Sequence, residues 1–388
     1  MFQLIKTNKF DDFFKKLFVC TLFTYAVFLE VSESTLNDIL VVETIVSVCI
    51  RTTFILVFSI CGYNFFRGKY TIKELIVGMS VFIPIAISFY VGRHPVVLLV
   101  LAYVYASKGC DVEKNVKYVL IALIIAYVVI VLSRVFGISK EAIFKQMKYG
   151  QMKNRYSFGF GYTCVGTIYF LFITIIYIYL RKNKFSVIEA IVILLINILL
   201  YLLTFTRNNF YFIILIVIFA FFMKYNENTF LYKVFGMLTV ISPILGSIII
   251  YVLTRLYGIG VPFAIKFNSF VTGRLHLTND AFVKYGISLF GNPVDFIGGA
   301  ASGTIRYNYV DSAYMQYLIQ YGLIVFIILL VYFTFLSYKA YKFNNKWVLI
   351  CFFIINYHAV FDDRLLNITL NPFLLLFLPY LALSCEKK

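Results

Sequence analysis

Residues 116–136, VKYVLIALIIAYVVIVLSRVF, decide the fold class. Between Lys117 and Arg134 the run carries no charge. A helix of about 20 apolar residues is long enough to cross roughly 30 Å of hydrocarbon. Such runs recur along the whole chain of 388 residues, which is 62% hydrophobic and only 14% charged, with a mean hydropathy of +0.88. Soluble domains average about 25% charged residues. The chain reads as all-α: a polytopic membrane helical bundle with about 12 transmembrane helices. They fall near 16–32, 38–62, 73–90, 94–107, 116–136, 159–180, 185–204, 209–224, 233–254, 311–337, 346–360 and 367–384. Pro84 and Pro243 fall inside spans, where neighbouring groups take up the freed carbonyls.

The whole chain, 1–388, forms a single integral membrane domain without tandem repeats or low-complexity segments. Lys15 and Lys16 precede an apolar run that no small-residue cleavage site follows, so this run is kept as the first span. The seven cysteines have no C-x-x-C spacing and mostly lie in apolar runs, the pattern of buried free thiols. A net charge of +17 is explained by lysines in short connections rather than by nucleic acid. The connections near Lys15, Lys69, Lys114, Lys182, Lys233 and Lys342 alternate with connections that, apart from 137–158, hold few lysines. The positive-inside rule assigns the lysine set, and both termini, to the cytoplasm of a plasma or inner membrane. The other side then carries a large extracytoplasmic loop at 255–310, between the ninth and tenth spans. It also carries a smaller one at 137–158 and a polar turn at Asp362, Asp363 and Arg364.

That second side is unusual in its cations. Arg93, Arg134, Arg155, Arg207, Arg255, Arg274, Arg306 and Arg364 all fall there, and its lysines are concentrated in 137–158. Arginine presents a planar fork that grips phosphate through two hydrogen bonds and never loses its charge. Each arginine taken alone also fits snorkelling to lipid headgroups. Taken together, Arg155, Arg207 and Arg274 sit at junctions between loop and span, and they suggest an anionic ligand carried by lipid.

Several segments between 154 and 322 form an ordered set of motifs. Asn154 to Gly161 (NRYSFGFG) resembles an Arg-x-Ser-x-Gly-Phe segment opening a span. Thr204-Phe205-Thr206-Arg207 resembles a Thr-x-Ser-Arg turn, and Thr272-Gly273-Arg274 the Gly-Arg of the large external loop. Leu289-Phe290-Gly291 is similar to the turn that follows. Asp311-Ser312-Ala313-Tyr314, with Gly322, is similar to the start of the span closing that loop. In this order over 154–322 they resemble the Wzy-type polysaccharide polymerases of the O-antigen polymerase and ligase superfamily. The chain departs where the family often shows His-Pro-Asn, reading Tyr162-Thr163-Cys164 instead. It also departs after Arg274, where His276 and Thr278 stand in place of an aromatic residue.

The resemblance implies a GT-C-like membrane glycosyltransferase. It would polymerise oligosaccharide repeat units linked to undecaprenyl pyrophosphate into capsular, exo- or O-antigen polysaccharide on the outer face. It would need no cofactor or metal, and its partners would be membrane lipid and the flippase and chain-length regulator of the same pathway. Arg274 and Asp311 would be catalytic, Asp311 as the base that takes or orients the acceptor hydroxyl's proton, with His276 and Asp280 as further candidates for that base. Arg155, Arg207, Arg306, Arg364 and Tyr156 would bind pyrophosphate and glycan. Asp311 also fits plain capping of a helix. A ligase-like glycan transferase shares this chemistry. A flippase or transporter would favour internal repeats and charges near the midplane. His358 and Asp362 are spaced to meet on one helix face. His94 is expected to cap the fourth span, and Glu43 and Arg51 to form an ion pair in or beside the second.

Overall fold

The computed structural model describes residues 9–148, 151–226, 228–298 and 307–383. Five helices open the chain: α1 (Lys9–Ser32), α2 (Leu40–Phe66), α3 (Ile72–Gly92), α4 (Val96–Ala106) and α5 (Val112–Val135). A hairpin of β1 (Ile143–Lys148) and β2 (Gln151–Tyr156) follows. Next come α6 (Val165–Arg181), α7 (Val187–Thr204), α8 (Arg207–Tyr225), α9 (Thr229–Gly258), α10 (Pro262–Phe270) and α11 (Arg274–Tyr285). The chain ends with α12 (Ala313–Gln320), α13 (Gly322–Lys342), α14 (Lys346–His358) and α15 (Phe377–Ala382).

Among the described residues, eight helices are long and apolar enough to cross a membrane: α2, α3, α5, α6, α7, α8, α9 and α13. The helices Val96–Ala106, Lys346–His358 and Pro372–Ala382 are apolar but shorter. The packing is that of a protein solvated by hydrocarbon. Ile188, Ile191, Leu195, Leu199 and Leu202 of α7 are exposed, whereas Asn197 on the same helix is buried. Buried Asn197 gives its amide hydrogen to Phe210 O at 3.0 Å, as a polar group inside a bundle must. The protein is a membrane-embedded helical bundle.

The loops collect at two ends. At one, lysines pair with acids at helix starts: Lys69 with Asp11, Lys108 with Glu74 and Lys182 with Glu113. Glu74 and Glu189 also close capping boxes with Thr71 and Ser186, fixing where α3 and α7 begin. The opposite end holds the hairpin, α10, α11 and the segment after α14.

The structure departs from the sequence reading in six places. The small loop, 137–158, contains the β-hairpin, so the fold is not helical throughout. The large loop, 255–310, is partly helical, because α9 runs to Gly258 and α10 and α11 follow. The span expected at 311–337 is broken at Tyr321, where Gly322 takes φ +81°. The turn around Gly291, at φ +95°, lies against this break. There Leu323 N donates to Ser288 O at 2.9 Å and Ile324 N to Leu289 O at 3.2 Å. Within the last expected span, 367–384, the helical part of the described residues is a 3-10 turn at Pro372–Leu376 and the short α15. The residues before it run irregularly through protein, which is tolerated only where every backbone group finds a partner. Asn371 gives its amide to Leu365 O at 2.9 Å, and Tyr317 accepts from Leu366 N at 3.0 Å while donating to Asp363 O at 2.9 Å. Finally, Glu43 and Arg51 are both exposed and form no ion pair with each other, because α2 turns this face outward. His94 does not cap α4, whose N-cap is Pro95; its Nε2 lies 3.2 Å from Asn292 O.

Gly322→Ala should unfold at a clearly lower temperature in detergent than the parent. A left-handed alanine costs about 1–2 kcal/mol, and its Cβ would overlap Gly291 N and Leu289 O. An unchanged melting temperature would show that the break is not glycine-dependent.

Candidate functional site

Two cavities of about 370 and 440 Å³ lie side by side at the arginine-bearing end of the bundle. They share Tyr162, Cys164, Thr206, Arg274, Tyr307 and Asp311 as walls, so they form one cleft. The first half is bounded by Glu33 and Asp38 after α1, Tyr309 before α12, and Asp362, Asp363 and Arg364 after α14. The second half is bounded by Gln146 and Arg155 of the hairpin, Arg207, Phe270, Leu277 and Phe361.

Each arginine is held by its surroundings. Arg155 stands on β2, where its Nε donates to Thr204 O at the end of α7 (2.7 Å) and its Nη1 to Gln146 Oε1 (2.8 Å). Arg207 opens α8, and its Nη2 donates to Phe270 O at 3.1 Å. Arg274 opens α11, with Nε 3.4 Å from Asp311 Oδ2 and its guanidinium 6.0 Å from the Phe361 ring. Two helices present their starts to the same cleft without a side-chain cap, α6 at Cys164 and α8 at Thr206. The Thr206 hydroxyl is buried without a partner. Helix N-termini carry positive potential and free N–H groups. This half of the cleft is therefore built for an anion.

The other half is acidic. Arg364 Nη2 meets Glu33 Oε2 at 2.8 Å, and its Nη1 meets Asp363 Oδ1 at 2.7 Å and Asp362 Oδ2 at 3.9 Å. The Tyr309 hydroxyl donates to Asp363. Burial alone would lower the pKa of Arg364, but Glu33, Asp363 and Asp362 outweigh it and keep the group charged. Burial pushes the Asp311 carboxyl above its ordinary value, against the pull of Arg274. Burial likewise raises Asp362, with Arg364 opposing. Burial also takes the Cys164 thiol up to about 12, which removes it as a nucleophile near neutral pH. Among the described residues, no group of three or more His, Cys, Asp or Glu side chains is arranged to hold a metal ion.

The structure thus brings Arg155, Arg207, Arg274, Arg364 and Asp311 to one cleft. His276 and Asp280 lie elsewhere. They face each other at 3.4 Å, with side chains 54% and 58% exposed. The reason is helical phase: Arg274 and Leu277 turn one face of α11 into the cleft, which puts His276 and Asp280 outside it. Tyr156 alternates away from Arg155 along β2 and does not line the cleft. Arg306 lies outside the described residues. Arg364 is in the cleft, but its two terminal nitrogens are occupied by protein carboxylates, so it braces the wall instead of waiting for a ligand. Glu33 and Asp38 were missed by sequence reasoning. Their only signal was that a short connection, together with Glu30 just before it, holds three acids on a side otherwise rich in arginine.

Compared with known protein families, curated proteins and solved structures, the chain finds no match.

Arg364→Met leaves three carboxylates facing one another without a cation. Removing one partner of a fully buried ion pair costs about 3–5 kcal/mol; this cluster is only partly buried, so the variant should lose less than that and unfold at a lower temperature than the parent. Stability equal to the parent would mean the cluster is not structural.

Proposed function

We propose that the protein is a membrane glycosyltransferase of the Wzy polymerase type. In this reading a growing glycan is passed from its lipid diphosphate to the non-reducing end of a second repeat unit linked to undecaprenyl pyrophosphate. The observation that carries it is the convergence of Arg155, Arg207 and Arg274 on one cleft, beside two uncapped helix starts. As the bond from sugar to diphosphate breaks, negative charge grows on the leaving oxygens. Fixed guanidinium groups and helix N–H groups stabilise that charge without reorganising at the moment of reaction. Arg274 lines both halves of the cleft, so it meets the diphosphate where the sugar leaves it, and Asp311 keeps its guanidinium aimed there.

The same reading treats α1, α4, α14 and the Pro372–Ala382 piece as traverses beside the eight longer helices, twelve in all. The lysine end and both termini then face the cytoplasm, and the cleft opens outward on the plasma or inner membrane. A flippase and a chain-length regulator would work beside it. A ligase-like transferase would use the same cleft on a different acceptor. A flippase reading leaves unexplained a cleft built at one end of the bundle rather than near its middle.

Purified chain in vesicles, given a defined undecaprenyl-pyrophosphate oligosaccharide, should produce a ladder of longer lipid-linked glycans, and should do so in the presence of a chelator. Arg274→Lys and Arg155→Ala should lower kcat/KM by about 10²–10³-fold, the effect of removing one preorganised donor, at unchanged folded yield. Failure of the parent chain to extend any such substrate would reject the reading.

A further inference from the structure

We infer that Asp362, with His358 behind it, receives the proton released by the attacking sugar hydroxyl, an inference that rests on the transferase reading above.

Asp362 lines the acidic half of the cleft. Its Oδ1 accepts from Arg364 N at 3.0 Å and lies 3.8 Å from His358 Nδ1. Its Oδ2 has no hydrogen bond among the described residues, and Arg364 Nη1 stands 3.9 Å away. His358 closes α14, and its imidazole is buried edge-on between two rings. The centroid of Phe172 is 5.7 Å away and that of Phe212 is 5.1 Å away, both nearly perpendicular. His358 Nε2 is 2.9 Å from Asn209 Oδ1.

The hydrogen bonds beyond this point fix which ring nitrogen carries hydrogen. The Thr167 hydroxyl donates to Cys164 O at 2.8 Å, so its oxygen accepts from Asn209 Nδ2, also at 2.8 Å. The Asn209 amide is thereby oriented with its oxygen towards the imidazole, and His358 Nε2 must be the N–H. In the neutral ring, Nδ1 then carries a lone pair and faces Asp362. A proton arriving on Asp362 has a second base behind it.

The other carboxylates of the cleft lack this arrangement. Glu33 and Asp363 accept from Arg364, Asp363 also from Tyr309, and Asp311 is paired with Arg274. Among the described residues, Asp362 is the cleft acid that has an imidazole nitrogen behind it. Burial raises its basicity above that of an ordinary carboxylate, which suits a proton acceptor working near neutrality. The distance of 3.8 Å to Nδ1 exceeds a hydrogen bond. Catalytic hydrogen bonds are often long before substrate binds.

The step balances. The acceptor oxygen forms its bond to the anomeric carbon and gives its proton to Asp362. The bond from that carbon to the diphosphate oxygen breaks, and its electron pair leaves on the diphosphate. The proton rests on Asp362, its O–H facing the lone pair of His358 Nδ1, and returns to the diphosphate or to water as product leaves. Nothing is oxidised or reduced.

The test uses the full chain in vesicles with one defined lipid-linked repeat unit, reading kcat and KM separately. Asp362→Asn should lower kcat by about 10²–10⁴-fold with KM for the lipid-linked unit nearly unchanged. Formate should restore part of the turnover of Asp362→Ala, a readout that a merely structural carboxylate would not move. His358→Gln keeps a donor for Asn209 and removes Nδ1, so it should stay as impaired in kcat as His358→Phe. Recovery in Gln but not Phe would make His358 a strut and overturn its proton role. A parent chain that extends the unit, together with an Asp362→Asn variant of equal kcat, would overturn the inference and leave the transferase reading standing. A parent chain that extends nothing would remove both.

Discussion

One partly buried guanidinium ties the cleft together. Arg364 joins Glu33, 331 residues away in sequence, to Asp362 and Asp363 beside it. Charges taken out of water hold their place only when they are paired and hydrogen-bonded, so the pairing fixes where the end of α1 meets the irregular segment after α14. That segment has no helix of its own to order it between Ala359 and Asp363. The ion cluster and the Tyr317 hydroxyl supply what a helix would otherwise provide. Three acids around one arginine leave a surplus of negative charge. Burial lessens it by raising Asp362 towards its neutral form.

The cleft is consequently divided by charge. Arg155, Arg207 and Arg274 face one half and the Arg364 cluster faces the other, with Arg274 and Asp311 at the boundary. In the transferase function proposed above, such a division would take a diphosphate on one side and sugar hydroxyls on the other. Carboxylates and tyrosine hydroxyls accept and donate hydrogen bonds to hydroxyl groups at little electrostatic cost. The same carboxylates would repel phosphate. A phosphate is thus steered towards the guanidinium groups by attraction on one side and repulsion on the other.

Much of the bundle was legible because its signal is local. A run such as 116–136 is apolar whatever surrounds it, and α5 covers most of that run, from Val112 to Val135. The breaks were not legible. Residues 311–337 and 367–384 are apolar whether helical or not, and only distant partners decide between the two: Gly291 against Gly322, and Tyr317 against Asp363 and Leu366. The arginines stood out because they replace lysine on one side. Their individual duties did not, since Glu33 neutralises Arg364 from the far end of the chain. His276 and Asp280 were attractive by residue type, yet four residues apart on α11 they share the face turned away from the cleft. The His358–Asp362 spacing was readable, whereas the Asn209 amide that fixes the ring's hydrogen lies 149 residues upstream.

The break between α12 and α13 bears on the geometry of the cleft as well as on the fold. An unbroken helix from residue 311 would carry its first turn along the axis of α13. Gly322 lets the chain turn, and the Gly291 loop closes over the turn by hydrogen bonds to Leu323 and Ile324. Once redirected, α12 begins where Ala313 N reaches both Ala359 O, at 3.0 Å, and Asp362 O, at 3.2 Å. A single backbone N–H thereby locks the start of α12 to the segment carrying Asp362, Asp363 and Arg364. Asp311, two residues earlier, is placed by the same contact, and through it so is the guanidinium of Arg274. The two walls of the cleft are therefore not independent. A shift of the glycine turn would move Asp311 relative to Asp362.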